Sequence, residues 1–167
     1  MSTGLEKIRE QMAEYLREMG IFSATAWPAE SRIKQGEPFV LVSLRECQVE
    51  PAGFQNYLGE FYNRETGLWE ERYGRAARLT FGLDIYARAR EDGEILQKAF
   101  LEVTEALTKG EPKGLFVELV SCGETGYDPE SGRLKRSVQA VCKACLDTID
   151  REGQIFVDFE LRGGMKT

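Results

Sequence analysis

Residues 78–87 alternate without a break: Leu79, Phe81, Leu83, Ile85 and Ala87 are apolar, and Arg78, Thr80, Gly82, Asp84 and Tyr86 stand between them. A period of two sends successive side chains to opposite faces, so this segment reads as a strand with one buried and one polar face. Residues 39–44, Phe-Val-Leu-Val-Ser-Leu after Pro38, form a short continuous apolar run rich in β-branched residues, which reads as a central strand. Residues 115–122 read as a further strand. Leu134, Val138, Ala140, Cys142, Ala144 and Leu146 supply its antiparallel partner, and residues 155–161 alternate once more.

Two segments carry helical spacing instead. Leu5, Ile8, Met12, Tyr15, Leu16 and Met19 fall on one face; Thr3 and Glu6 form a capping box and Gly20 supplies a left-handed stop, so the first helix runs over residues 4–19. Ile95, Leu96, Ala99, Phe100, Val103 and Leu107 define a second helix, capped by Asp92 and ended by Gly110 and Pro112. Residues 21–27 read as a brief strand or extended link, residues 28–37 as a polar loop, and residues 163–167 as a loose tail.

The same turn is spelled twice. Residues 62–67, Tyr-Asn-Arg-Glu-Thr-Gly, and residues 127–132, Tyr-Asp-Pro-Glu-Ser-Gly, share the pattern Tyr-x-x-Glu-[Thr/Ser]-Gly. Asp128 can bond its own backbone, Pro129 presets φ, and the closing glycine takes a left-handed conformation, so each copy is a hairpin tip. Around the first tip, Phe54, Tyr57, Phe61, Tyr62, Trp69 and Tyr73 crowd together without helical spacing. Such a cluster either fills a satellite core or forms a contact surface. The second reading is favoured, because a long excursion in a compact domain usually carries function.

The order of elements is helix, strand, hairpin excursion, strand, helix, hairpin, final strand, without regular βαβ alternation. This predicts an α+β fold: a mainly antiparallel sheet with both helices on one face and long protruding hairpins. Residues 1–150 are expected to form a single domain with the excursion at 46–76, and residues 151–167 to add a C-terminal strand and tail.

Composition narrows the chemistry. A net charge of −6 weighs against specific nucleic-acid binding, which relies on Lys and Arg neutralising phosphates. The chain has no histidine, so the commonest general base, metal ligand and pH switch are missing together. No apolar run approaches the roughly 20 residues needed to span a bilayer, and the first ten residues lack the apolar core of a signal peptide. The expected location is cytoplasmic, without membrane attachment.

Cys142 and Cys145 have the spacing of half a zinc knuckle, but Cys47 and Cys122 are isolated from each other. On a strand, residues three apart point to opposite faces, which suits neither chelation nor a disulfide. Cys142 is therefore expected in the core and Cys145 facing away, with no metal and no cofactor. No glycine-rich loop joins a strand to a helix, and no serine has a histidine base. Nothing predicts an enzyme. The densest basic cluster is Arg133, Lys135 and Arg136, interrupted by Leu134; Arg133 and Lys135 should share one face, opposite Leu134 and Arg136. Its structural reading is a strand charged against aggregation, and its functional reading is contact with an acidic partner.

The ordered set of elements resembles the tail terminator family of long-tailed phages and prophages, also called tail-completion or minor tail proteins. The resemblance is carried by the first helix, the strand at 38–44, the strand at 79–87 with its following helix, and the hairpin at 115–146. Within these, Tyr73-Gly74-Arg75 leading into residues 79–86, and Gly126-Tyr127-Asp128, are the most similar motifs. What the resemblance implies is a ring homo-oligomer, commonly a hexamer. It would close the end of the tail tube and then meet the head–tail connector protein, assembling in the host cytoplasm and ending in the virion tail. Tyr62, Trp69 and Tyr73 in the excursion, and Arg133, Lys135 and Arg136, are the candidate interface residues for its own copies, the tail-tube protein and the connector. The excursion and the last strand are additions to shorter members and leave a head-closure or baseplate role open. The alternative outside this class is a cytosolic domain binding a small ligand or a metal.

Overall fold

The computed structural model describes residues 4–29, 32–33, 37–51, 57–89, 93–110, 112, 114–148 and 160–161. Helix α1 spans Gly4–Glu18 and is followed by strands β1 (Ser23–Ala24), β2 (Phe39–Pro51), β3 (Tyr57–Asn63) and β4 (Leu68–Arg88). Helix α2 (Gly93–Lys109) precedes β5 (Phe116–Asp128), β6 (Arg133–Thr148) and β7 (Glu160–Leu161). All strands belong to one sheet of order β1-β2-β4-β6-β5, with β3 also pairing β4 and β7 pairing β6. Among the described residues only β1 and β2 run parallel and every other pairing is antiparallel, so the fold is α+β.

Periodicity decides which face is covered. Leu79, Phe81, Leu83 and Ile85 of β4, Val40 and Val42 of β2, and Val138, Ala140 and Cys142 of β6 point to one side and are fully buried. Ile8, Met12 and Leu16 of α1 and Leu96, Val103 and Leu107 of α2 close over them in a single core, so both helices lie on one face, as predicted. The Tyr15 hydroxyl joins the two helices by donating to the Ala106 carbonyl at 2.6 Å. Gly20, at φ 84°, ends α1 with its N–H on the Arg17 carbonyl at 3.0 Å, fulfilling the expected left-handed stop. The short edge strand β1 is blunted: Arg17 donates to the Ser23 carbonyl at 3.2 Å, and the Ser23 hydroxyl is buried on the Ala13 carbonyl at 2.8 Å.

Two strand boundaries differ from the sequence reading. β2 does not end near Leu44 but continues to Pro51, paired with β4 as far as Arg75. The register shifts between Leu44 and Glu46, which makes Arg45 an extra residue in a β-bulge. Before it Val40, Val42 and Leu44 meet the core; after it Cys47 and Val49 do. The bulge moves the alternation from even to odd numbers and hides the strand from a period count. β4 likewise begins at Leu68, ten or so residues before its alternation becomes clean. The excursion at 46–76 is therefore narrower than expected: residues 46–51 and 75–76 belong to the β2–β4 ladder, and β3 takes over as the partner of β4 from Tyr73 to Leu68. Of the expected strand at 155–161, Glu160 and Leu161 pair with Asp147 and Leu146, and the rest lies outside the described residues.

Both repeated turns are hairpin tips with matching geometry. Gly67 and Gly132 have φ 70° and 68°. In each tip the tyrosine hydroxyl lies over the glycine, 3.8 Å (Tyr62) and 3.9 Å (Tyr127) from where a Cβ would stand. The second tip closes with the Gly132 N–H on the Asp128 carbonyl at 2.8 Å. Hydrogen bonding from the Ser131 side chain, and then from nearby backbone, holds the Asp128 carboxyl below its usual range.

Candidate functional site

The sequence-predicted interface residues fall into two groups at opposite ends of the sheet. β4 and β6 run antiparallel, with Tyr73 opposite Thr148 and Arg88 opposite Arg133. Fifteen residues of β6 separate those two rungs, a length of roughly 50 Å at about 3.3 Å per residue.

At the first end, Tyr62 and Trp69 are directly paired across β3 and β4, with ring centroids 5.5 Å apart in an edge-to-face arrangement. They are 53% and 69% exposed, and neighbouring Leu68 is 65% exposed. These are among the most exposed large apolar side chains of the described residues, and they lie side by side at one tip. Residues Leu68–Arg72 pair with β3 alone among the described residues. The backbone of Tyr73 lies between Tyr57 and Thr148, at the root of this hairpin; its side chain lies outside the described set.

At the second end, the basic run divides as the alternation predicts. Arg133 and Lys135 lie on the face away from the helices: the Arg133 guanidinium stands 5.6 Å from the centroid of the Phe39 ring, and the Lys135 ammonium 5.7 Å from that of Tyr86. Arg136 lies on the helix side, donating from Nε to the Gly123 carbonyl at 3.1 Å and covering Phe100 at 6.0 Å. Phe39 and Tyr86 stack with centroids 5.5 Å apart, and Trp27 meets both edge-on at 5.0 and 4.9 Å. Phe39 and Tyr86 form a second small core with Ile33 over this end of the sheet, against which Phe22 and Leu41 pack.

Sequence reasoning missed the acid that organises this end. Asp84 is 8% exposed in the middle of the sheet face that the helices leave uncovered. Arg45 Nη2 donates to its Oδ1 at 2.7 Å, and Lys135 Nζ stands 3.8 Å from Oδ2. The bulge at Arg45 aims that side chain across Gly82, where a Cβ would lie 2.5 Å from the guanidinium Nε and 2.5 Å from the Ser43 hydroxyl. Burial pulls the Lys135 ammonium down, but Asp84 and then Tyr86 outweigh it and raise its pKa. Lys135 is thus committed to an internal partner. Further along the same face Glu118 bridges Lys143 at 2.9 Å and Arg78 at 3.2 Å.

A cleft of about 620 Å³ opens between the end of α1, the β1–β2 edge and the first turns of α2. Its lining includes the apolar residues Ile21, Phe22, Val40, Ile95 and Ala99, of which Val40 and Ala99 are buried. The lining also includes Arg17, Arg32, Lys98, Glu37 and Glu102. Among the described residues, the side chains of Arg32, Lys98, Glu37 and Glu102 make no hydrogen bond or ion pair.

Cys142 is fully buried in the core, as expected; Cys47 is half-buried, where desolvation pushes its thiol pKa up, and Cys122 is exposed. Cys145 is paired with Ala76 in the sheet, and its side chain lies outside the described set. Among the described residues no three Cys, Asp or Glu side chains converge as metal ligands. No helix among them is long and apolar enough to cross a membrane.

No family model matches the chain, and no curated protein matches it.

Proposed function

We propose that this protein is a structural component of a phage or prophage tail, the terminator that caps the tail tube as a ring and joins it to the head connector. The observation that carries this reading is the separation of two chemically different surfaces along one continuous strand. An aromatic tip, Tyr62 with Leu68 and Trp69, stands at one end of β4. Arg88 and Arg133, the latter over the Phe39 ring, stand at the other. A part that joins two different neighbours needs two unlike contact surfaces held at a fixed distance, and a stiff sheet supplies that. Exposed aromatics suit the buried centre of an interface, and cations suit its recognition of a carboxylate-bearing neighbour. A subunit of this kind works by surface complementarity, without a nucleophile, metal or cofactor.

The test is addition of the purified chain to tail-tube protein during polymerisation. Tubes should stop elongating at a length set by when the chain is added, and electron microscopy should find it at one tube end. Tubes that lengthen at the same rate with and without it would contradict the reading.

A further inference from the structure

We infer that copies of this chain pack head to tail through two matched pairs of charges: Glu14 and Glu18 of α1 in one copy against Arg88 and Arg133 of the next. The inference rests on the reading that the cationic end meets a carboxylate-bearing neighbour, and it names that neighbour as a second copy.

The arginine pair is an unfavourable arrangement within one chain. Arg88 and Arg133 stand directly opposite one another on β4 and β6, where like charges cost a sheet stability. By alternation Arg88 shares the face of Asp84 and Tyr86, away from the helices. It is exposed and makes no hydrogen bond or ion pair among the described residues. Lys135, the next cation along β6 on that face, already has Asp84 at 3.8 Å. Asp128, opposite Arg133 on its other side, is engaged by the Ser131 side chain and by backbone of the hairpin tip.

The glutamate pair is unfavourable too. Glu10, Glu14 and Glu18 follow at intervals of four on α1, the spacing at which like charges destabilise a helix. Ile8, Met12 and Leu16 are buried in the core, which turns this row outward, and Glu14 and Glu18 are exposed. Glu10 is occupied by the Thr25 hydroxyl and by Arg17 at 3.8 Å. Glu14 and Glu18 make no hydrogen bond or ion pair among the described residues. The second helix is built differently: α2 sets Lys98 four positions before Glu102, and Lys109 four after Glu105, the latter two ion-paired.

The two spacings agree. Opposed residues on antiparallel strands have Cα atoms about 4.5–5.5 Å apart, and residues four apart on a helix have Cβ atoms about 5–6 Å apart. Two guanidiniums so placed can each take one carboxylate of the pair at the same time. The surroundings suit a helix, because this face of the sheet is the one that α1 and α2 leave uncovered. Trp27, 42% exposed, stands beside the Phe39 ring that Arg133 covers. A neighbour's helix laid there repeats the layer that closes the opposite face.

The contact is between copies, since the sheet lies between a chain's own α1 and its own arginine pair. The two surfaces differ and stand on opposite faces, so the interface is head-to-tail. Each docked copy leaves one glutamate pair and one arginine pair free, the arrangement that propagates until a ring closes.

Charge reversal tests this. The helix variant is Glu14→Arg with Glu18→Arg, and the sheet variant is Arg88→Glu with Arg133→Glu. Circular dichroism melting checks that both stay folded, and Arg88→Glu alone, at an exposed side chain, stands in if the sheet variant does not. By sedimentation velocity the wild-type chain should form an oligomer larger than a dimer, and each variant alone should associate at least tenfold more weakly. Mixed one to one, the variants should assemble again, because every contact between unlike copies then joins opposite charges. Either variant assembling like wild type, or a mixture that associates no better than its parts, overturns this contact. A wild-type chain that stays monomeric overturns it as well. The capping role is decided separately by the tube-growth experiment, so the contact can fail while that role stands.

Discussion

A Cβ on Gly82 would stand 2.5 Å from the Nε of Arg45. The bare backbone of that glycine is the path by which Arg45 reaches Asp84, and the β-bulge at Arg45 is what aims it there. Gly82 has an ordinary extended backbone, so alanine is not disfavoured by φ; its cost comes from displacing the guanidinium and the Ser43 hydroxyl, each 2.5 Å from that Cβ. Gly82→Ala should destabilise the fold by about 1.5–3 kcal/mol, the range for a lost hydrogen bond to a charged group. Arg45→Ala should cost a similar amount, and the double variant less than the sum, because the methyl group then meets only the Ser43 hydroxyl, which can rotate away. Urea denaturation of the four proteins measures the coupling. Strict additivity would show that Gly82 is not there for Arg45.

The two tips should respond alike to loss of their glycine. Gly67→Ala and Gly132→Ala each force a side chain into a left-handed conformation, at a cost of about 1–2 kcal/mol. In both, the added methyl also approaches a tyrosine hydroxyl to within 4 Å. Thermal unfolding followed by circular dichroism reads the loss. A variant as stable as the parent would mean that the tip re-forms in another turn type.

Much of this architecture was legible in local text. The alternation at 78–87 is clean because every apolar residue of the alternation there joins the core that the helices cover, and Val138 to Ala144 repeat the logic on the next strand. Turn chemistry is local too, so both tips could be read from six residues each. What was hidden depended on pairing. Arg45 shifts the phase of β2, so a strand of thirteen residues looked like one of six. The first third of β4 has no period, because its neighbours change from β2 to β3 along its length. Lys135 read as available for a partner because its internal acid, Asp84, lies 51 positions away in the chain. The cleft is assembled from three elements, none of which announces it alone.

Acid should weaken the uncovered face of the sheet. The Glu118 carboxyl is held below its usual value first by its hydrogen bond to Lys143, against some desolvation, with Arg78 adding to the effect. A depressed carboxyl stabilises the fold above the pKa it has when unfolded, near 4.5, and that contribution disappears as pH falls through the folded value. Glu118→Gln should therefore be less stable than the parent at pH 7, with the difference shrinking below about pH 4.5 and vanishing in stronger acid. Denaturation midpoints across pH 2–7 check the sign, and a difference that grows toward low pH would contradict it.

The central claim is that the protein ends tail-tube growth through its surfaces and performs no chemistry. The most direct measurement is the length distribution of tails, by electron microscopy, from a phage or prophage whose copy of this gene has been deleted. The account predicts tails of uncontrolled length that fail to join heads, restored by the parent chain and not by Tyr62→Ser with Trp69→Ser. Tails of normal, uniform length joined to filled heads in the deletion strain would contradict it.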